Sequence, residues 1–376
     1  MQKRIIFNRD EFAGAFGDLG TDLPLVIGLI LACDLNPFQT FLIYGILQML
    51  SGFLYGLPMP VQPLKAIAAI MIAQKLPAYH LFSAGLALAL MMFLLTITGL
   101  APWLAKKIPK AVVRGIQAGL GITLLMIATR KYIPSGGQAG IGLALGALFL
   151  VMLLRKRKAI PMALIVLPVG FIYAFFVDVE PSTALGVARA HLAFLSPFQL
   201  IDLKTTLLTL ALPQLCLSLS NSVIATAQVA KDYFPEHPVS VRKIGLTYSL
   251  FNFISAFMNG IPVCHGSGGM VGHYVFGARS GGSVFIYGLF YLALAFFCGH
   301  LWALKYFPLP ILGIMLAWEA ANLIFLSKDL FPDQRQVVVA GVVALVAAFV
   351  PYGFFIGLIL GVALYWMIIP KQMRFR

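Results

Sequence analysis

Charge is scarce in this chain. Only 11% of its 376 residues are Asp, Glu, Lys or Arg, and acids are the rarer sign, 13 against 27 bases. A soluble domain carries about 25% charged residues, so this chain cannot cover itself with polar surface. Cysteine is equally sparse. Cys33, Cys216, Cys264 and Cys298 lie in or beside apolar runs, with no CxxC spacing, which excludes a disulfide framework and a thiolate zinc site. The sequence has no catalytic-triad motif, phosphate loop, dinucleotide fingerprint or metal-ligand cluster. No enzyme activity, cofactor or metal is therefore expected. What is abundant is apolar: 60% of residues are hydrophobic and the mean hydropathy is +0.93. The chain reads as an all-α, polytopic membrane protein. The net charge of +14 would suit nucleic acid, but cytoplasmic loop cations account for it, and no nucleic-acid partner is expected. No cleaved leader is expected, because Met1 to Glu11 is polar and the first apolar run is long enough to stay in lipid.

Apolar stretches fall near residues 12–33, 38–56, 79–101, 111–129, 138–154 and 159–177, then near 205–229, 243–259, 282–303, 308–326, 336–350 and 352–369. A span needs about 20 residues, so these are twelve spans. Segments 61–74 and 264–277 are too short and too polar to cross alone. If each is a half-helix behind an extended piece, each half of the chain holds seven membrane elements. Residues 1–177 then form a first repeat, 178–204 a polar linker and 205–376 a second repeat. The halves share landmarks: Pro60-Val61 recurs as Pro262-Val263, and Ile108-Pro109 with Gly115 recurs as Phe307-Pro308 with Gly313. Asp18 then falls opposite Ser220, beside Asn221. Seven is odd, so the second copy must be inverted, giving a 7+7 inverted-repeat transporter fold of fourteen elements. With the N-terminus inside, 20 Lys and Arg fall on inside segments and 6 on outside ones. That bias predicts both termini cytoplasmic in an inner membrane.

The two breaks carry the chemistry. Leu57 to Ala66 reads LPMPVQPLKA, and Gly260 to Gly269 reads GIPVCHGSGG. Unwound backbone is costly in lipid unless it lines a protein cavity. A helix that starts inside the membrane presents free N–H groups and its positive dipole end, which suit an anion. Gly266, Gly268 and Gly269 let backbone amides approach a ligand closely; Ser267 adds a hydroxyl, Gln62 an amide, and Cys264 and His265 share the segment. Lys65 is the one cation at predicted membrane depth; its bland alternative is to snorkel to an interface. The bland alternative for the glycines is helix packing, and for His265 a structural role. Asp18 and Asp22, with Thr21 between them, open the first span one helical turn apart. Either can pair with Lys65 or carry a coupled proton, or simply favour a helix start. Glu319 is the other acid inside an apolar span and a candidate proton relay, or a partner for Arg114 or Lys65. Gln214, Ser218 and Asn221 lie on adjacent turns, as substrate contacts or as interhelical hydrogen bonds.

Gly17-Asp18-Leu19-Gly20-Thr21, Pro60 to Ala69, Asn221 to Ala225, Pro262 to Gly269 and Phe276 to Gly282 together resemble the signatures of the molybdate transporter family, a branch of the sulfate permease superfamily. The resemblance runs from about residue 11 to 325. It implies a core domain carrying the substrate, a gate domain, and facing half-helices as third and tenth elements. The expected substrate is molybdate first and sulfate second, and the residues expected to hold it are Gln62, Lys65, Cys264, His265, Gly266, Ser267, Gly268, Gly269, Thr21 and Asn221. Asp18, Asp22 and Glu319 are the proton-coupling candidates, and membrane lipid and a second copy of the chain the expected partners. Asp22, His273 and Val275 depart from the family's usual residues. Sulfate permeases carry a C-terminal regulatory domain; none is expected here. An anion channel and a sulfate, bicarbonate or nucleobase carrier are the rival readings. Lys65 and the glycine-rich turn disfavour a nucleobase.

Overall fold

The computed structural model describes residues 5–154, 204–298 and 308–369, together with residues 166, 168–170 and 172–173. In chain order these form α1 (Arg9–Ala15), α2 (Leu19–Cys33), α3 (Pro37–Tyr55), β1 (Val61–Pro63), α4 (Lys65–Gln74), α5 (Ala78–Ile97), α6 (Leu100–Lys107), α7 (Lys110–Ile127) and α8 (Gly137–Leu154). There follow α9 (Thr205–Tyr233), α10 (Val241–Phe257), β2 (Val263–His265), α11 (Ser267–Val275), α12 (Gly282–Cys298), α13 (Leu309–Phe325), α14 (Gln334–Phe349) and α15 (Gly353–Ile368). Most of the apolar stretch at 159–177 and the linker lie outside the described residues, so the count of fourteen is not closed here. The helix α6 interrupts what the hydropathy pattern reads as a simple connection.

Local chemistry sets the boundaries. Asn36 accepts from the Gln39 amide and Pro37 opens α3, an arrangement suited to a helix start. Ser240 caps α10 in the same way. The first span bends by 43° between α1 and α2. Five helical runs among the described residues are long and apolar enough to cross a membrane, six with that bent pair. Large apolar side chains on the helices' outer faces, such as Phe53 on α3, Phe149 on α8 and Met367 on α15, are more than 60% exposed, as a lipid-facing perimeter requires.

The helices sort into two bundles. In one, α3 packs on α12, α5 on α10, α2 on α4, and α1 on α11 and α12. In the other, α7 packs on α13, α14 and α15. The loop at 276–282 belongs to the first bundle. Buried Glu11 accepts from the amides of Arg279 (2.8 Å) and Ser283 (2.9 Å), placing a carboxylate at the start of α12.

The interior of the first bundle is built twice. β1 and β2 pair antiparallel with Gln62 opposite Cys264. Gln48 clamps the Val61 backbone, donating to its carbonyl (2.6 Å) and accepting from its amide (2.8 Å). Asn252 does the same to Val263, at 2.7 and 2.9 Å. Ser51 donates to the Met59 carbonyl and Ser255 to that of Ile261. The left-handed residues Gly56 and Asn259 turn the chain from helix to strand in each copy. Tyr44 donates to Asp22 (2.8 Å), while Tyr248 bonds Ser218 (3.0 Å). Tyr44 and Tyr248 are 204 positions apart, as are Gln48 and Asn252, but Asp22 and Ser218 are 196 apart. The tyrosine contacts of the two copies thus relate Asp22 to Ser218 at a shorter spacing than the prolines.

Candidate functional site

The chain crosses itself at the antiparallel β1–β2 pair, and α4 and α11 follow these strands. A short antiparallel pair satisfies the backbone groups that unwinding exposes. Beside it lies a cavity of about 290 Å³, roughly ten water volumes. Its wall includes Gln62, Lys65, Asn221, Cys264, Gly266, Ser267 and Gly268. Seven of the ten predicted substrate residues are thus brought together. Arg114, Gln117, Gln214 and Ser222 also line it. Arg114 and Gln117 sit on a separate apolar span about fifty residues from the break, where nothing in the sequence marks them as substrate residues. Asn221 and Ser222 lie on a π-helical stretch, Ser218–Ile224, which widens the turn that carries them.

The two half-helix starts are not equivalent. The Gln214 side-chain oxygen accepts from the amides of Ala66 (2.9 Å) and Ile67 (3.4 Å), so the start of α4 is already occupied. Among the described residues no side chain accepts from the first amides of α11, whose N-cap is Gly266, and Gly268 has open space where a Cβ would stand. Lys65 supplies the charge on the α4 side and the bare amides of α11 the dipole on the other. Gly266 and Gly269 are glycines for a different reason: a Cβ at either would run into Gln62, and at Gly269 also into Pro60 and Asp18. They allow the crossing to close.

Three predicted contacts stand away from the cavity wall. His265 faces inward between Tyr55 and Phe251, with Nε2 on the Thr247 hydroxyl at 3.0 Å; in this arrangement it packs the crossing rather than donating to a ligand. Gly269 abuts Asp18. Thr21 donates to Glu319 Oε2 at 3.2 Å. The acids form a second layer behind the wall. Asp18 accepts from Gln62 Nε2, and Asp22 from Tyr44 and Tyr287 (3.3 Å). Glu319 pairs with Lys65, Nζ to Oε1 2.6 Å. Lys65 therefore pairs with neither aspartate. Arg114 does not reach Glu319; it is bidentate to Asp329 and donates to Gln117. Among the described residues no group of three or more His, Cys, Asp or Glu could hold a metal.

Apolar helices around two broken half-helices, with a polar cavity where they meet, define a multi-pass membrane transporter of the inverted-repeat class. Solved structures carry the same fold. The transmembrane domain of the cyanobacterial bicarbonate transporter BicA superposes with a TM-score of 0.69 at 18% identity, covering 92% of this chain and 99% of that one. Murine solute carrier 26 family member A9, an anion transporter in its inward-facing state, gives 0.74 at 14% identity, covering 96% and 68%. The chain matches the family described as "Molybdate transporter of MFS superfamily" over residues 10–124 and 206–323. It is 32% identical to Molybdate transporter 2 of Arabidopsis thaliana, over 93% of this chain and 86% of that protein. Molybdate transporter 1 of the same plant is also 32% identical, over 85% and 80%. The chain belongs to the molybdate transporter family. The family's description names the facilitator superfamily, whose halves are related as parallel repeats; the crossed half-helices seen here belong to a different architecture.

Proposed function

We propose that this chain is a secondary active transporter that imports a tetrahedral oxyanion, molybdate first and sulfate second, with proton coupling and alternating access. The single observation that carries this reading is the uncapped start of α11 facing Lys65 across one cavity. Two relatives at 32% identity bear the name of molybdate transporters, which supports molybdate as the first substrate to test. The anion sits against the amides of Ser267, Gly268 and Gly269, the Ser267 hydroxyl, Gln62 and Lys65, with Asn221 and Cys264 completing the wall. No catalytic step is part of this reading.

Coupling follows from the energy of the cargo. Moving a dianion inward against 100 mV, negative inside, costs about 4.6 kcal/mol, at about 2.3 per charge. Two co-transported protons cancel that charge, and Asp18, Asp22 and Glu319 behind the cavity are the groups to carry them. The first bundle acts as the core and the second as the gate. Residues 1–177 and 205–376 form the two repeats around the 178–204 linker. Both termini face the cytoplasm in the inner membrane, and the assembly is a homodimer in lipid. The test is molybdate binding to the detergent-purified chain by calorimetry, with sulfate as competitor. Saturable binding that Lys65→Gln abolishes supports the reading; wild-type protein that binds neither anion overturns it.

A further inference from the structure

Lys65 and Glu319 belong to different bundles. Lys65 opens α4 in the first, and Glu319 lies midway along α13 in the second. Both carboxylate oxygens of Glu319 are held by the first bundle: Oε1 by Lys65 Nζ at 2.6 Å and Oε2 by Thr21 Oγ1 at 3.2 Å. The Glu319 side chain is 5% exposed, while that of Lys65 is 30% exposed and lines the cavity. One ammonium therefore has a carboxylate on one side and the open cavity on the other.

The surrounding charge does not favour a further anion. From α2, Asp18 and Asp22 face the same cluster, held by Gln62 and by Tyr44 and Tyr287. From α7, Arg114 is engaged with Asp329 and Gln117. From the turn after α7 comes Tyr132, with Arg130 and Lys131 exposed, and α8 holds no titratable residue. Lys65 is thus paired with Glu319 and has two further acids, Asp18 and Asp22, in the same cluster before any anion arrives.

We infer that Glu319 is a built-in competitor of the transported anion. Ionised, it occupies Lys65 in the oxyanion's place and ties the two bundles together. A proton taken from the outer aqueous side neutralises it, frees Lys65 for the oxyanion and unties the bundles. Loss of that proton to the cytoplasm restores the Lys65–Glu319 pair and expels the anion. No covalent bond changes; this exchange carries one of the two protons that accompany each anion. The inference rests on the oxyanion reading of the cavity.

The experiment measures binding of radiolabelled molybdate to the detergent-purified full chain between pH 6 and 8, with proton uptake recorded in weakly buffered solution. Wild type is expected to bind about tenfold more tightly for each unit fall in pH per obligatory proton, and to take up protons on binding. Glu319→Gln removes the competitor, so it binds at least tenfold more tightly than wild type at pH 8, with a slope and a proton uptake lower by about one. Thr21→Val, which loosens one oxygen of Glu319, shifts binding at pH 8 the same way by a few fold. A Glu319→Gln protein with the wild-type slope, or with weaker binding at pH 8, overturns the inference. So does wild-type binding without proton uptake, a result that needs no variant to fold. Wild-type protein that binds no molybdate at any pH defeats the oxyanion reading instead.

Discussion

Gly266 and Gly268 sit two residues apart at the start of α11, and the same substitution at each should have opposite consequences. Gly266 has φ −90° and ψ 123°, a region open to alanine, so Gly266→Ala carries no backbone strain. Its cost lies at Gln62, whose Oε1 and Cδ would stand well inside van der Waals contact of the new methyl. Gln62 has to move, and it then leaves Asp18. Overpacking costs about 1–3 kcal/mol, and losing a buried hydrogen bond to a charged group about 1.5–3. The sum is about 4 kcal/mol, which at roughly 2–4 °C per kcal/mol lowers Tm by about 8–16 °C. At Gly268 a Cβ meets nothing within 4 Å. Gly268→Ala should leave Tm within about 2 °C of wild type, or raise it slightly, because alanine favours a helix by up to about 1 kcal/mol. Its methyl stands in the cavity and raises KM for uptake severalfold. Thermal unfolding of the purified variants with anion uptake in proteoliposomes reads both. A Gly266→Ala protein as stable and active as wild type, or a Gly268→Ala protein that unfolds early, refutes the assigned packing of the crossing.

Lys65→Met leaves Glu319 buried without its cation, at a cost of about 3–5 kcal/mol, and abolishes uptake; Lys65→Arg should retain more stability than Lys65→Met in the same melts. Gln214→Ala uncaps α4, where the Ala66 and Ile67 amides lose their acceptor, and by analogy with other lost caps lowers stability by about 1 kcal/mol, measurable as a shift of roughly 2–4 °C in Tm. Arg114→Ala breaks the bidentate pair with Asp329, whose side chains are 19% and 31% exposed. Such a pair contributes under about 1 kcal/mol, so Tm should barely move.

Much of this arrangement was legible in the residues because lipid punishes unpaired backbone. Proline and glycine inside apolar sequence mark the breaks; β1–α4 falls within the segment 61–74, and β2–α11 within 264–277 but for Val263. What escaped the reading is set by tertiary pairing. Gln48 and Asn252 look like isolated amides in apolar spans, and their clamps on Val61 and Val263 appear only once strand and helix are packed. The 196-position relation between Asp22 and Ser218 was hidden by the 202-position spacing of the prolines, because each connection has its own length. His265 shares its segment with the site residues, but strand alternation turns it to the opposite side from Cys264. Gln214 was visible as one polar residue among several; that it caps α4 and leaves α11 as the open anion-facing start depends on contacts between elements far apart in the chain.

The most direct test of the central claim is uptake of molybdate by proteoliposomes carrying the purified chain, driven by an imposed inward proton gradient, with sulfate added in rising excess. The account predicts accumulation that depends on the gradient, collapses with a protonophore and is absent from Lys65→Met vesicles. Currents far above carrier turnover without gradient dependence, or no molybdate uptake under any gradient, would contradict it.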